Sequence, residues 1–177
     1  MIEDVIAQSH TLVDTLTFND GVVALAALRA IGNAPAKAGA FAQLLGISFD
    51  GMTAGRCTAS LEVKHHLLNP HGIAHGGVAF SLADSACGGA ASSAVGEPRI
   101  LTQDMQIRYH GPARLGKILA HAEVIHHGQR TITVQCRVTQ AEILIASATA
   151  TFAILTPAEL TAMKSATSPP TVEQSGS

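Results

Sequence analysis

The sequence predicts an α+β domain in which one long central helix is wrapped by an antiparallel sheet of about six strands. Three observations carry that expectation. "GGVAFSLADSACGGAASSA", from Gly76 to Ala94, is a long helical segment of mostly small and apolar residues. After it come four strand-like segments, separated by short turn signals. Before it, "RCTASLEV" alternates, with Cys57, Ala59, Leu61 and Val63 on one face. A helix rich in Ala and Gly permits close approach of a sheet, and a single helix among strands with short connections is an α+β arrangement.

The elements follow in order. In the first forty residues Val5, Ile6, Leu12, Val13 and Leu16 recur at helical spacing, and "GVVALAALRAIG" continues the pattern after a break at Asn19-Asp20-Gly21. Residues 1–40 are therefore expected to form a helical extension. "QLLGISFDG" is a short apolar run ending in a turn signal, expected as the first strand, and the second is the run from Arg56. Asn69 to Ala74, with Pro70 and Gly72, is a loop. The remaining strands are expected at Ile100–His110, Ile118–His127, Thr131–Gln140 and Ile143–Leu155, joined as an antiparallel meander. Pro157 starts a short helical turn, and "SATSPPTVEQSGS" is a polar, proline-bearing tail expected to be disordered. The expected organisation is an extension over 1–40, a single domain over 41–156, and a helix and tail over 157–177.

At 177 residues the chain is long enough for one domain with a sizeable core. Apolar residues make up 47% and charged residues 14%, a globular composition. The net charge of -2 gives no electrostatic case for nucleic acid or an anionic membrane as partner. No basic n-region precedes an apolar stretch, and the run Val22–Leu28 is too short to span a bilayer. Cys57, Cys87 and Cys136 are odd in number and widely spaced, so they read as reduced core thiols. The expectation is a cytoplasmic protein.

One residue conflicts with the helix around it. Asp84 sits in the apolar run, and a buried carboxylate is costly unless paired or hydrogen-bonded. An apolar setting raises its pKa toward the range useful to a general base, and the same group can act as a nucleophile. The other reading is a structurally paired Asp. His75-Gly76-Gly77 opens the helix, leaving first-turn N–H groups uncovered where the helix dipole favours negative charge. Such a site suits a developing oxyanion; the plainer reading is a tight loop-to-helix turn. Asn69 can donate an amide hydrogen, or can simply initiate the turn before Pro70. His65, His66, His71 and His75 cluster in sequence, but no zinc-type ligand spacing accompanies them, so neither a metal nor a cofactor is expected. Ser81 lacks the G-x-S-x-G setting of a serine hydrolase.

Together, Asn69, Gly76-Gly77 and Asp84 form the pattern N-x6-G-G-x6-D, which resembles the hotdog-fold acyl-CoA thioesterases. More narrowly it resembles the phenylacetate-degradation subfamily of the hydroxybenzoyl-CoA-thioesterase-like superfamily. The resemblance spans about Phe41 to Leu155, including "LLGISFDG", "HGGVAFSLADSA" and "TQDMQIRYHGPARLGKILAHAEVIHHGQR". It implies a hotdog fold and hydrolysis of acyl-CoA to acid and thiol, with aryl-acetyl groups among the candidate acyl groups. It also implies a homo-oligomer, a dimer or a dimer of dimers, with sheets paired edge to edge and active sites at the dimer interface. By position, Gly76 is the residue whose N–H polarises the carbonyl, Asn69 its helper, Asp84 the base or nucleophile reached from the partner, and Thr102 the hydroxyl that orients water. His75, Gly77 and Phe80 are expected to line the substrate site, and Arg130, in a turn, to meet the CoA phosphates. An enoyl-thioester hydratase or dehydratase of the same fold and a non-catalytic acyl-CoA-binding module are the alternatives.

Overall fold

A computed structural model describes residues 40–96 and 99–166. The expected helical extension before residue 40, and the tail beyond 166, lie outside the described residues. The elements are α1 (Ala40–Leu45), β1 (Ser48–Thr53), β2 (Arg56–Val63), a single 3-10 turn (His65–Leu67), α2 (Gly76–Val95), β3 (Ile100–Tyr109), β4 (Gly116–His127), β5 (Thr131–Gln140), β6 (Ile143–Ile154) and α3 (Pro157–Ala166). The six strands form one antiparallel sheet in the order β1-β2-β4-β5-β6-β3. The sheet curls around α2, which is the hotdog architecture.

Helix α2 buries Val78, Ala79, Leu82, Ala83, Ala86, Cys87, Ala90 and Ala91 against the sheet. These positions recur in adjacent pairs four residues apart, so they form one stripe. Facing them are Ala59, Leu61, Ile118, Ala120, Val134, Cys136, Ala148, Ala150 and Phe152, all in the core. Small residues set how closely helix and sheet approach. A Cβ placed on Gly89 would lie 2.7 Å from Cys57 Sγ and 3.0 Å from Met52 Cε. The helix ends at Gly96, whose φ of 77° permits the left-handed cap and whose N–H donates to Ser92 O.

Three expectations change. The run "QLLGISFDG" is split: Gln43-Leu44-Leu45 belong to α1, and β1 begins at Ser48 and runs through Asp50-Gly51 as a bulge, with the turn falling later at Ala54-Gly55. The four later strands are not one meander. Strands β4, β5 and β6 are adjacent in order, but β3 leaves its sequence neighbour β4 and pairs with β6 at the sheet edge. The six-residue connection 110–115 bridges the roughly 14 Å that three strand spacings require, because a chain that length extends to about 20 Å. Helix α2 is also not buried all round. Phe80 is exposed, and Gly76, Ser81 and Asp84 are half-buried, so a second stripe faces away from the core.

Candidate active site

The site grows from the N-terminus of α2. His75 is its N-cap, with extended backbone (φ -59°, ψ 140°), and its Nδ1 accepts a hydrogen bond of 3.0 Å from Gly77 N–H. In the neutral ring the proton therefore sits on Nε2. Val78 N–H donates to His75 O at 2.9 Å. Among the described residues the Gly76 N–H has no acceptor. The cap thus consumes its neighbours and leaves one first-turn donor, at the positive end of the helix, facing a cleft.

That cleft, about 440 Å³, is lined by Asn69, Gly76, Ala79, Tyr109 and His110 among others. The Asn69 side-chain oxygen accepts from His71 N–H at 2.9 Å and Ile73 N–H at 3.4 Å, fixing the loop as an Asx turn. This engagement orients the amide: with Oδ1 held by the loop, Nδ2 is the group left to donate. Tyr109 was not among the sequence candidates. Its hydroxyl donates to Gly76 O at 2.9 Å, and burial raises its pKa. It is the chain's one tyrosine and stands immediately before the turn "HGPA", a signal that was available.

Asp84 lies elsewhere. Eight residues along α2 from Gly76, it is about 12 Å further down the helix axis. Thr102 Oγ1 donates to Asp84 Oδ1 at 3.2 Å. Burial raises the Asp84 pKa from its ordinary value, and the Thr102 bond partly offsets that. Thr102 reaches the helix because β3 carries a bulge between Thr102 and Asp104. Before the bulge Thr102 sits opposite buried Phe152. After it Met105, Ile107 and Tyr109 face the helix, and Asp104, Gln106 and Arg108 face outward. Phe80 stands midway between Gly76 and Asp84 on the same helical stripe, 38% exposed.

Within one chain, then, Asn69, His75, Gly76 and Gly77 come together, Asp84 and Thr102 come together, and the two groups are separated by a little over two helical turns. Arg130 joins neither. It forms a two-pronged pair with Glu159 of α3, at 2.7 and 3.4 Å. Its guanidinium is matched there by an exposed carboxylate. Among the described residues no three His, Cys, Asp or Glu side chains converge as a metal site, and no described helix is long and apolar enough to cross a membrane.

Comparison with known proteins follows the same lines. Residues 71–146 match the model of a family described as the thioesterase superfamily. A conserved protein of Pseudomonas aeruginosa is 32% identical, its structure covering 66% of this chain and 94% of its own with a TM-score of 0.64. The N33D variant of the phenylacetic acid degradation protein of Thermus thermophilus is 29% identical, covering 66% of this chain and 99% of its own at a TM-score of 0.62. The 1,4-dihydroxy-2-naphthoyl-CoA hydrolase of Listeria monocytogenes is 28% identical over 114 residues, 63% of this chain and 93% of that protein.

Proposed function

The chain belongs to the thioesterase superfamily, and we propose that it hydrolyses acyl-CoA thioesters, releasing a free acid and CoA thiol, at sites shared between two copies of the chain. The observation that carries this reading is the Gly76 N–H at the head of α2, without an acceptor among the described residues and set in a cleft with Asn69 and Tyr109. An N–H so placed meets the thioester oxygen as it takes on negative charge. Asn69 Nδ2 is the second donor. His75 and Tyr109 hold the donor in place, one through Gly77 N–H and the other through Gly76 O.

Asp84 supplies the other half of the reaction. A part-buried carboxylate steadied by Thr102 is suited to taking a proton from water, or to attacking the carbonyl and forming an anhydride that water then opens. In either route the C–S bond breaks and the sulfur leaves as the CoA thiolate. The 12 Å between Gly76 and Asp84 in one chain argues that the carboxylate reaches the carbonyl from a partner subunit. Edge strand β3, ten residues long and paired only on its β6 side among the described residues, is the natural seam for that pairing. Two such dimers pair into a tetramer in the fullest form of this proposal. Phe80, between the two catalytic groups, forms the wall against which the acyl group lies, and it favours an aryl or branched acyl group over a thin chain. The three buried free thiols fit a reducing cytoplasm.

A thiol-release screen over short, long and aryl-acetyl CoA thioesters tests the proposal. Turnover of at least one class is expected. Release of no thiol from any of them, with CoA binding intact, refutes it in favour of a binding module.

A further inference from the structure

We propose that the outer face of the sheet carries the docking site for the phosphate groups of CoA, built on Arg108 and Arg137; this rests on the thioesterase reading above. The register places one row of side chains across four strands: Arg108 (β3) opposite Ser147 (β6), Ser147 opposite Arg137 (β5), and Arg137 opposite His121 (β4). Neighbours on this row alternate with the buried core residues Val138, Ala146 and Ala148, so the row points away from α2. The two guanidiniums spring from backbones about 10 Å apart, across Ser147. His110 Nε2 pairs with Ser147 Oγ at 2.9 Å, adding a second polar group over the same spot.

Charge pairing sets these two arginines apart from Arg56, Lys117 and Arg130. Arg56 is held by Glu123 at 2.6 Å, Lys117 by Asp50 at 3.4 Å and Arg130 by Glu159 at 2.7 Å. Arg108 and Arg137 are both exposed, and among the described residues neither has a carboxylate partner. The nearest acid on this face, Glu123, sits one row away and is already occupied by Arg56. Two unmatched guanidiniums flanking a hydroxyl suit a diphosphate or phosphomonoester, which guanidinium binds in paired hydrogen bonds.

The site is connected to the reaction centre. The cleft at Gly76 also includes His110, Pro112 and Ile145. Ile145 is the bulged residue of β6, between the partners of Val138 and Thr139; it is buried, and its carbonyl accepts from His110 and Gly111 N–H at 2.8 and 3.3 Å, which ties the connection 110–115 to it. His110, which lines this cleft, also bonds Ser147 on the arginine row, so the cleft at Gly76 opens beside the face that bears Arg108. It adjoins a second, larger groove of about 770 Å³, which shares Gly111, Pro112 and Ile145 and is also lined by Leu115, Leu119 and Ile143. Thioester carbonyl at one end, cationic row at the other, and apolar wall beside it match the order of groups along an acyl-CoA: acyl carbonyl, pantetheine arm, phosphates, base.

The test compares the wild-type chain with Arg108→Gln, Arg137→Gln and the double variant on three substrates with one acyl group: acyl-CoA, its 3′-dephospho form, and the N-acetylcysteamine thioester, which has no phosphate. Each single change is expected to raise KM for acyl-CoA about tenfold and the double change further, with kcat within about twofold, because charge-assisted contacts of this kind are worth about one such factor each. KM for the N-acetylcysteamine thioester should not move, and Arg56→Gln, already paired with Glu123, should change nothing. Whichever variant penalty shrinks on dephospho-CoA marks the arginine that meets the 3′-phosphate; a penalty retained there marks the diphosphate. CoA titrated calorimetrically into the same proteins should weaken in parallel. Unchanged KM and unchanged CoA affinity in the double variant, or an equal loss on the phosphate-free thioester, overturns the assignment while leaving thioester hydrolysis standing. Arginine-dependent CoA binding in a protein that hydrolyses none of the substrates does the reverse.

Discussion

Replacing Asp84 by Asn separates what the carboxylate does for the reaction from what it costs the fold. The change keeps the shape and one oxygen, so Thr102 Oγ1 still has an acceptor. It removes the charge and with it the base or nucleophile. General-base assistance alone is worth about 10²–10⁴ in rate, and a nucleophile at least as much, so kcat should fall by about 10³ with KM nearly unchanged. Stability should move the other way. Burial raises the folded-state pKa of Asp84 above its unfolded value of 3.8. The folded chain therefore holds the proton more tightly, and stability is lost as pH rises from that value through the folded pKa; the deficit then persists at higher pH. Asn has no such deficit. The carboxylate is only part-buried, so solvent screens it and the gain is at most about 1 kcal/mol, or a rise in Tm of about 2–4 °C. Thiol release with the best substrate of the screen gives the first quantity. Thermal melts at about pH 8 and about pH 4 give the second, with the larger gain expected at the higher pH. A variant that retains kcat within tenfold, or that melts several degrees below the wild type at high pH, would falsify the reasoning: the first denies Asp84 its chemistry, the second makes it a structural ion-pair residue.

Gly76→Pro deletes that first-turn N–H while keeping the helix. Proline is favoured at the first helical position and the extended backbone of His75 accepts it, while its Cβ, 3.2 Å from the Tyr109 hydroxyl, makes that ring give by a few tenths of an ångström; kcat should fall about 10²–10³-fold with far-ultraviolet dichroism unchanged. At the β5–β6 turn Ala141 and Glu142 both have positive φ, 46° and 65°, so the double change Ala141→Asn, Glu142→Gly should relieve strain and raise Tm by about 2–4 °C, read by calorimetry. No rise would mean the turn is relaxed as it stands. Cys57, pushed up to about 12 chiefly by burial, and Cys87, raised by its hydrogen bond with Cys136 and by burial, should resist alkylation in the native protein near neutral pH. All three thiols should label within minutes in denaturant, counted by mass spectrometry; prompt native labelling of Cys57 or Cys87 would show that the core opens.

Local signals carried much of this fold into the sequence. The small-residue run ends one residue from the observed end of α2, and the alternation of "RCTASLEV" puts Cys57, Ala59, Leu61 and Val63 together in the core. What the sequence withheld is non-local. A short turn after Tyr109 reads as a hairpin, yet β3 pairs with β6, because the curled sheet brings its far edge within reach of six residues. The bulge at Gln103 is equally silent. By parity Thr102 and Arg108 share a face; the extra residue turns Thr102 toward Asp84 and Arg108 outward. The partner of Arg130 is non-local in the same way, since the carboxylate it pairs with lies 29 residues later, on α3.

Helix geometry makes its firmest demand on the number of chains per site. Gly76 and Asp84 are fixed to the same rigid helix, and about 12 Å along it is too far for both to touch one carbonyl carbon and its oxygen. Sharing between subunits resolves this and has a numerical consequence. Mix Asp84→Asn with Gly76→Pro: each parent dimer has two dead sites, but a mixed dimer pairs the intact Gly76 of one chain with the intact Asp84 of the other at one of its two sites. Random exchange makes about half the dimers mixed, so activity should recover to about one quarter of wild type. Recovery should track the extent of subunit exchange, followed by a tag on one parent. If exchange is complete and activity stays at the level of the two inactive parents, both groups act within one chain, and the helix must bend or the oxyanion donor must be another N–H.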